Sequence, residues 1–227
     1  MLLGKAIGKG LEHLVGPQPE SAVNQALDAL RAGFEENDIW TLEALESITT
    51  QMIKLAAKTT YAEILQNEVV VGAEVDLGGG IIDLLTKQGD LWIITDHKTK
   101  LQLKADWVQR ELIDAETDWQ LFDYAWRVMN HYQTENIAIR RHMGVVSPKM
   151  KWWLHQKRLN ADTIKRWADG ANLVWDSMAA LKDPNSLFTP TMRLVECMGR
   201  FGKCPMYEAC HTYNQDPKMM EALYEPK

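Results

Sequence analysis

Two aspartates and a lysine interrupt apolar segments that otherwise have the character of buried strands. Asp83 interrupts the apolar run at 81–85, and Asp96 and Lys98 come directly after the apolar run at 91–94. Charged groups in such places cost free energy unless something pairs with them or binds them. Because side chains alternate faces along a strand, Asp96 and Lys98 are expected to share one face.

The chemistry indicated by these residues is metal-dependent hydrolysis. A tight turn at residues 88–90 predicts a hairpin, which lets Asp83 approach Asp96 across the sheet. Two carboxylates repel each other, and a divalent ion such as Mg or Mn removes the repulsion by taking both as oxygen ligands. Lys98 beside the ion could orient or deprotonate a water and stabilise charge on a phosphate. The alternative is that these are exposed strand-end charges, whose ion pairs contribute only ~0–1 kcal/mol.

Helices and strands that would position these residues follow from hydrophobic spacing and from the Gly and Pro breaks. The predicted helices cover residues 3–14, 20–36, 41–58, 117–132 and 161–181. The predicted strands cover residues 67–77, 80–87, 91–96, 137–146 and 151–155. We therefore predict an α/β fold with a central mixed β-sheet of about five strands flanked by helices.

The composition is typical of one globular domain. The chain has 227 residues, of which 46% are hydrophobic and 25% charged. We predict a single domain over 1–227, with a helical N-terminal part (1–66), a catalytic core (67–160) and a C-terminal helix with a Cys-rich tail (161–227). The net charge of -6 argues against binding nucleic acid through overall charge, so a polyanion must be met locally.

No apolar run approaches the ~20 residues that a membrane span needs. The N-terminal segment also lacks the features of a secretory signal. We therefore expect a cytoplasmic protein with no membrane association.

Three short motifs resemble, in order and context, those of the PD-(D/E)xK nuclease superfamily in its RecB-like branch. They are Gly80-Ile81-Ile82-Asp83, then Asp96-His97-Lys98-Thr99, then Gln120 and Tyr124 in Gln120-Leu121-Phe122-Asp123-Tyr124. The branch includes nuclease domains of bacterial recombination helicase-nucleases, CRISPR adaptation exonucleases and many phage exonucleases. The resemblance extends from about Leu3 to Cys210 and implies a restriction-endonuclease-like core.

The resemblance also implies a role for each motif residue. Asp83 and Asp96 would be metal ligands, with the backbone carbonyl of His97 as a further ligand, and Lys98 would be the catalytic lysine. Gln120 and Tyr124 are four residues apart and share a helix face, where the family places them beside the active site to hold the lysine or a DNA phosphate. For Tyr124, simple core packing of an amphipathic helix is the alternative.

The first helix departs from the family pattern. Its motif in the family is G-x-x-x-H-x-x-L-E, with a metal-binding histidine, and Gly8 stands at that histidine's place in the segment Gly4 to Glu12. Glu12 is one turn beyond Gly8 on the same face and is our candidate replacement ligand. A solvated surface glutamate is the alternative. If neither residue contributes a ligand, the metal site is weaker, and an inactive nuclease-like fold is an open alternative.

Cysteines near the C-terminus suggest a second cofactor. Cys197, Cys204 and Cys210 resemble the last three of the four cysteines that hold an iron-sulfur cluster in many RecB-like nucleases. A [4Fe-4S] cluster normally takes four thiolates, and this sequence has no cysteine before Cys197. The open alternatives are a ligand upstream of this sequence, His211 or an outside ligand, loss of the cluster, or a Cys-rich turn packed as apolar residues.

Basic and aromatic residues could form a path for DNA near the carboxylates. A tryptophan stacked on the bases of a single strand contributes about 1–3 kcal/mol per base. The alternative is that these residues are solvated strand edges with one Trp face in the core. The candidates are Lys100, Lys104, Arg140, Arg141, Lys151 and Trp152.

The sequence therefore predicts a Mg- or Mn-dependent DNA nuclease. We expect an exonuclease acting on DNA ends or single strands in recombination, repair or phage or CRISPR-type DNA processing, in the cytoplasm of a prokaryote or of a phage host. A helicase or recombination protein is the candidate protein partner. The alternative is a catalytically weakened module with the nuclease fold, which binds DNA ends or a protein partner.

Overall fold

The computed structural model describes residues 2–35, 40–103 and 105–180. Within them the helices are α1 (Leu2–Leu14), α2 (Ala22–Gly33), α3 (Leu42–Lys58), α4 (Thr60–Asn67), α5 (Ala105–Asp114), α6 (Trp119–Tyr132) and α7 (Ala161–Ala180). The strands are β1 (Val69–Asp76), β2 (Ile81–Gln88), β3 (Leu91–Gln102), β4 (Ile137–Ser147) and β5 (Lys151–Leu159). Short 3-10 turns at Pro19–Ser21 and Ala115–Thr117 precede α2 and α6.

The five strands form one mixed sheet in the order β1-β2-β3-β4-β5. Neighbouring strands are antiparallel except for β3 and β4, which are parallel. A parallel pair needs a crossover connection, and here that connection contains α5 and α6. The predicted α/β fold, a mixed sheet of five strands flanked by helices, is confirmed.

Two helices and part of a strand were not predicted from the sequence. The helix α4 lies within the predicted helical N-terminal part (1–66) but was not predicted as a separate helix, and α5 lies in the unassigned segment after β3. Both are short, so their local signal is weak and tertiary packing supplies most of their stability. Strand β3 was expected to end at Asp96, but its pairing with β4 continues to Gln102, which lies opposite Ser147.

Two apolar cores cover the opposite faces of the sheet. Leu84 packs with helices α1 to α4 in one core, and its neighbour Leu85 packs with α6 in the other. Successive strand residues point to opposite faces, which is how one strand serves both cores. A smaller cluster, centred on Val108 of α5 and Met143 of β4, fixes α5 to the sheet.

The described chain contains two compact units. The first is Met1–Ala168, and it contains all the described strands and the candidate site residues discussed below. The second is Asp169–Lys227, of which the structure describes the end of α7. The single domain proposed over 1–227 stays a prediction. None of the helices in the described ranges is long and apolar enough to span a membrane.

Gly144 of β4 allows the side chains of Met52 from α3 and Trp152 from β5 to pack closely against the backbone of the sheet. A Cβ atom at this position would lie 2.8 Å from Cη2 of Trp152, a rigid ring that is itself buried. We expect Gly144→Ala to lower the free energy of unfolding by about 1–3 kcal/mol, because the core there has no room for a methyl group. Urea-induced unfolding of the full chain measures this.

Gly170→Ala is the matched control, since a Cβ at Gly170 in α7 meets no atom of the described residues within 4 Å. That substitution should stabilise the helix by about 0.5–1 kcal/mol. A Gly144→Ala protein as stable as the wild type would contradict the close packing between β4 and Trp152.

Candidate active site

The carboxylates of Asp83 and Asp96 lie next to each other where the β2–β3 hairpin opens. The last paired residues of the hairpin are Leu84 and Thr95, and the two aspartates are the next residues on their strands. Asp83 accepts a hydrogen bond from the backbone N–H of His97 at 2.6 Å, in place of a strand-to-strand bond. The structure thus brings the aspartates of both predicted strands together, as the sequence indicated.

Asp96 is 2% exposed and each of its carboxylate oxygens has a cationic partner. Oδ1 accepts a hydrogen bond from Lys98 Nζ at 2.8 Å, and Oδ2 accepts one from Arg141 Nη1 at 2.7 Å. Burial raises the pKa of the Asp96 carboxyl, and the charge of Asp83 adds to the rise. The charges of Arg141 and Lys98 oppose it. Asp96 is therefore a buried carboxylate whose charge depends on its partners.

Asp83 is half-buried, and the pKa of its carboxyl is also raised, mainly by burial. The His97 N–H and the charges of Lys98 and Arg141 act in the opposite direction. Two adjacent carboxyl groups with raised pKa values are an arrangement in which a cation can bind, because it relieves both the burial cost and the repulsion.

A cleft of about 740 Å³ opens beside these residues, between α1 and the sheet. Asp83 and Lys98 contribute to one wall, and Gly4, Gly8 and Glu12 of α1 contribute to the other. The position of the family histidine, Gly8, thus faces the same cleft as Asp83, and a Cβ there would meet nothing within 4 Å. Glu12 lines the cleft while it accepts a hydrogen bond from Lys9 at 2.6 Å. Its role as a ligand stays a prediction.

The pair on α6 lies at the start of β2. Gln120 Nε2 donates a hydrogen bond to the Tyr124 hydroxyl at 2.7 Å. The Tyr124 ring packs against Gly80, where a Cβ would lie 2.7 Å from Cε1 of the ring. Burial raises the pKa of Tyr124, and the charges of Asp83 and Asp96 raise it further. Tyr124 therefore packs in the core and also lies close enough to Asp83 and Asp96 for their charges to act on its hydroxyl.

His97 points away from Asp96 and begins a chain of buried hydrogen bonds on the other face of the sheet. Its Nε2 is 2.9 Å from the Tyr61 hydroxyl, and its Nδ1 is 3.0 Å from Nδ1 of His142. Nε2 of His142 is 2.8 Å from the Thr60 hydroxyl. Burial lowers the pKa of His97 to about 4 and that of His142 well below its ordinary value. Two neutral imidazoles therefore hold the peptide whose N–H binds Asp83.

That histidine chain was not foreseen from the sequence. His97 and His142 are 45 residues apart, and only the register of the parallel pair β3–β4 sets them side by side. Tyr61 belongs to α4, which was itself not predicted. The alternation of side chains in β3 did indicate that His97 would face away from Asp96 and Lys98.

The donor set fits a hard divalent ion. Among the residues described, no group of three or more His, Cys, Asp or Glu side chains is placed to hold a metal. Mg²⁺ is commonly bound through one or two carboxylates, with substrate phosphates and waters completing the octahedron. The oxygens of Asp83 and Asp96 supply that pair of carboxylates.

Three members of the predicted DNA path are not on the surface, and for them the prediction is wrong. The guanidinium of Arg140 is buried against Glu68, with Nη2 2.5 Å from Oε1, and that of Arg141 is buried against Asp96. Trp152 is buried, and its Nε1 donates to the Met52 carbonyl at 2.9 Å. Strand β4 lies inside the sheet, between β3 and β5, so its neighbours enclose the two arginines. Trp152 lies on the edge strand β5 and is covered by Met52 of α3.

The remaining members of that path stay predictions. Lys100 lines the cleft and lies 3.2 Å from a carboxylate oxygen of Glu111. Lys151 is exposed, with its Nζ 3.7 Å from the centre of the Trp153 ring. Lys104 lies outside the described residues, as do the three candidate cluster ligands Cys197, Cys204 and Cys210.

The fold and the two carboxylates agree with the family that the sequence matches. A model of the PD-(D/E)XK nuclease superfamily matches residues 2–211 of the chain. The protein belongs to this superfamily, and the class of activity that the family defines is that of a nuclease. The match covers the sheet, the cleft and α6, which are the elements that carry the three motifs.

Similarity to individual proteins is much weaker. No curated protein matches the chain. The crystal structure of a protein called SSO0001 is 11% identical, with the match covering 77% of this chain and 75% of that one, and has a TM-score of 0.24. A likeness at that TM-score carries no argument about this protein.

Asp83 should make the metal-free protein less stable at neutral pH. A raised pKa means that the folded protein binds the proton more tightly than the unfolded chain, so this stabilisation is present at low pH and lost as pH rises through the folded-state pKa. We expect Asp83→Asn to raise the free energy of unfolding at pH 7, because the amide oxygen still accepts from the His97 N–H without a buried charge. The difference should shrink as the pH falls toward about 4.

Urea unfolding in EDTA, repeated across this pH range, measures the effect. Asp83→Ala is the control: it leaves the His97 N–H without its acceptor and should be about 1–3 kcal/mol less stable than Asp83→Asn. Added Mn²⁺ should stabilise the wild type and have no effect on Asp83→Asn. An Asp83→Asn protein that is less stable than the wild type at pH 7 would contradict the raised pKa.

Proposed function

We propose that this nuclease-family protein is a Mg- or Mn-dependent deoxyribonuclease, and specifically an exonuclease that acts on DNA ends or single strands. The observation that carries the proposal is the convergence of Asp83, Asp96 and Lys98 where the β2–β3 hairpin opens, with Asp83 and Lys98 lining an open cleft. Family membership supports a nuclease; the exonuclease activity and a role in recombination, repair or phage or CRISPR-type DNA processing rest on the RecB-like motifs.

The residues of the site have separable roles. Asp83 and Asp96 would hold a divalent ion, which would supply Lewis-acid stabilisation of the phosphate and of the leaving oxygen. Lys98 keeps its ammonium 2.8 Å from Asp96 while its side chain is 40% exposed. It can therefore donate to a phosphate oxygen or orient the attacking water. The backbone carbonyl of His97 is the proposed additional ligand, and the buried imidazoles behind it keep that peptide in place.

DNA would reach the site along the cleft between α1 and β3. Lys100 follows Lys98 along the same wall and offers a cation to the phosphate backbone. Gln120, exposed at the start of α6, is placed to contact DNA or to steady Lys98 through Tyr124. A helicase or recombination protein that delivers the strand, and an iron-sulfur cluster on the C-terminal cysteines, both rest on the family resemblance alone.

A second candidate function is a binding module that keeps the fold and has lost most of its catalysis. It is favoured by Gly8, which provides no ligand atom where the family has histidine, and by the two cations that already occupy the oxygens of Asp96. Such a protein would bind DNA ends or a protein partner without cleaving DNA.

Cleavage of linear single-stranded and double-stranded DNA, with Mg²⁺ or with Mn²⁺, distinguishes the two functions. We expect the wild type to cleave and Asp96→Asn to lose at least about 100-fold in rate, because the variant keeps the shape of the side chain but not the charge that binds the ion. Asp90→Asn is the matched control, since Asp90 is exposed at the opposite end of the same hairpin.

The two other outcomes are informative in different ways. An Asp96→Asn protein that keeps full activity in a nuclease-free preparation would refute the site assignment. A wild type that binds DNA ends and cleaves neither substrate with either ion would establish the binding module instead. Visible absorbance of anaerobically purified full-length protein would report an iron-sulfur cluster independently of both.

Gly8 should limit the affinity of the site for its ion. Because the position faces the cleft and has room for a side chain, we expect Gly8→His to lower the half-saturating Mn²⁺ concentration for cleavage by about tenfold, or about 1.4 kcal/mol. Gly8→Leu fills similar space with no ligand atom and should give no such gain. Equal effects of the two substitutions would show that the imidazole does not reach the ion.

A further inference from the structure

Arg141 connects two carboxylates that belong to different elements of the site. It lies on β4 directly beside Asp96 of β3 in the parallel register. Its Nη1 donates to Asp96 Oδ2 at 2.7 Å, and its Nη2 donates to Oδ2 of Asp118. The Arg141 side chain is 8% exposed, so its contact with Asp96 is shielded from water, whereas the Asp118 side chain is 26% exposed. One planar guanidinium therefore bridges the two carboxylates.

Asp118 is the residue that starts α6. It is the N-cap of the helix, and its Oδ1 accepts a hydrogen bond from the Gln120 N–H at 2.9 Å. Its two carboxylate oxygens are therefore divided between the helix and Arg141. The bridge fixes the beginning of α6, which carries Gln120 and Tyr124, relative to the carboxylate of Asp96.

We propose that Arg141 is a positioning residue: its guanidinium fork aligns the Asp96 carboxylate for metal binding and joins it to the start of α6. The inference rests on the proposed metal-dependent function. Arg141 occupies Oδ2, so the ion would bind at Oδ1, where the Lys98 ammonium lies at 2.8 Å and, with its side chain 40% exposed, can move aside. Asp118 offsets the charge of Arg141, which leaves the negative charge of Asp96 available to a cation.

The neighbouring Arg140 is a buried arginine of the same strand that has no contact with Asp96, so it serves as the structural comparison. It is equally buried, on the opposite face of β4, and it pairs with Glu68 and Gln156. Neither partner is a candidate metal ligand or contacts Asp96. Arg141 contacts Asp96, and Arg140 does not. The same substitution at each arginine therefore separates an effect on the position of the Asp96 carboxylate from an effect on the stability of the fold.

Arg141→Lys is the decisive variant. Lysine keeps the charge and most of the length, but it has no planar fork to hold two carboxylates at once. We expect the half-saturating Mn²⁺ concentration for cleavage to rise by about 10- to 100-fold, the usual effect of losing a residue that orients a metal ligand. Mn²⁺ binding to the full-length protein, followed by electron paramagnetic resonance, should weaken in parallel.

Two further variants complete the test. Asp118→Asn leaves the contact of Arg141 with Asp96 but removes its counter-charge, and it should weaken Mn²⁺ binding in the same direction. Because both substitutions break one bridge, the double variant should be no weaker than the worse single variant. Arg140→Lys should leave the half-saturating Mn²⁺ concentration within about twofold of the wild type even if it lowers the melting temperature.

The outcomes decide the inference separately from the nuclease assignment. If Arg141→Lys shifts Mn²⁺ binding no more than Arg140→Lys does, Arg141 is structural and the inference is overturned. If the wild type binds Mn²⁺ through Asp96 but cleaves no DNA, the nuclease proposal fails while the binding comparison still tests Arg141. If the wild type shows no Mn²⁺ binding that Asp96→Asn removes, the inference is overturned as well.

Discussion

The structure of the site depends on one electrostatic constraint: two carboxylates are held side by side at the opening of a hairpin, out of contact with most of the solvent. A buried carboxylate must be compensated or it takes up a proton. Asp96 is compensated by Lys98 and Arg141, and Asp83 receives the N–H of His97. The pKa values of Asp83 and Asp96 remain raised despite these partners, so the negative charge of the pair is not fully compensated. In the proposed function, a divalent ion bound by the two carboxylates would compensate the remaining charge.

The rest of the fold supplies rigid surroundings for these groups. Parallel pairing of β3 with β4 sets Arg141 beside Asp96 on one face and His142 beside His97 on the other. The first contact reaches α6 through Asp118, and the second reaches α4 through Tyr61 and Thr60. The short strand segment from Asp96 to Lys98 is therefore attached to helices on both faces of the sheet. Such attachment keeps ligand oxygens in place before a substrate arrives.

Sequence reasoning was informative where the signal was local. Charges inside apolar strands and a turn between them predicted that Asp83 and Asp96 would approach each other beside Lys98, and helical spacing predicted α6. The family resemblance added Gln120 and Tyr124 on that helix, and the roles of all five residues stay predictions. Sequence reasoning failed for residues whose partners are distant along the chain. The stretch from Arg140 to His142 resembles a polar strand edge, yet Glu68 and Asp96 bind its arginines in the interior, 72 and 45 residues away. Only the register of the assembled sheet provides that information.

Anomalous diffraction from crystals grown with Mn²⁺ tests the central claim most directly. The account predicts a peak within about 2–2.5 Å of an oxygen of Asp83 and of Oδ1 of Asp96, with Arg141 still on Oδ2. A peak that contacts neither aspartate would contradict it, and so would a fully occupied Mn²⁺ elsewhere in the cleft with both carboxylates unchanged.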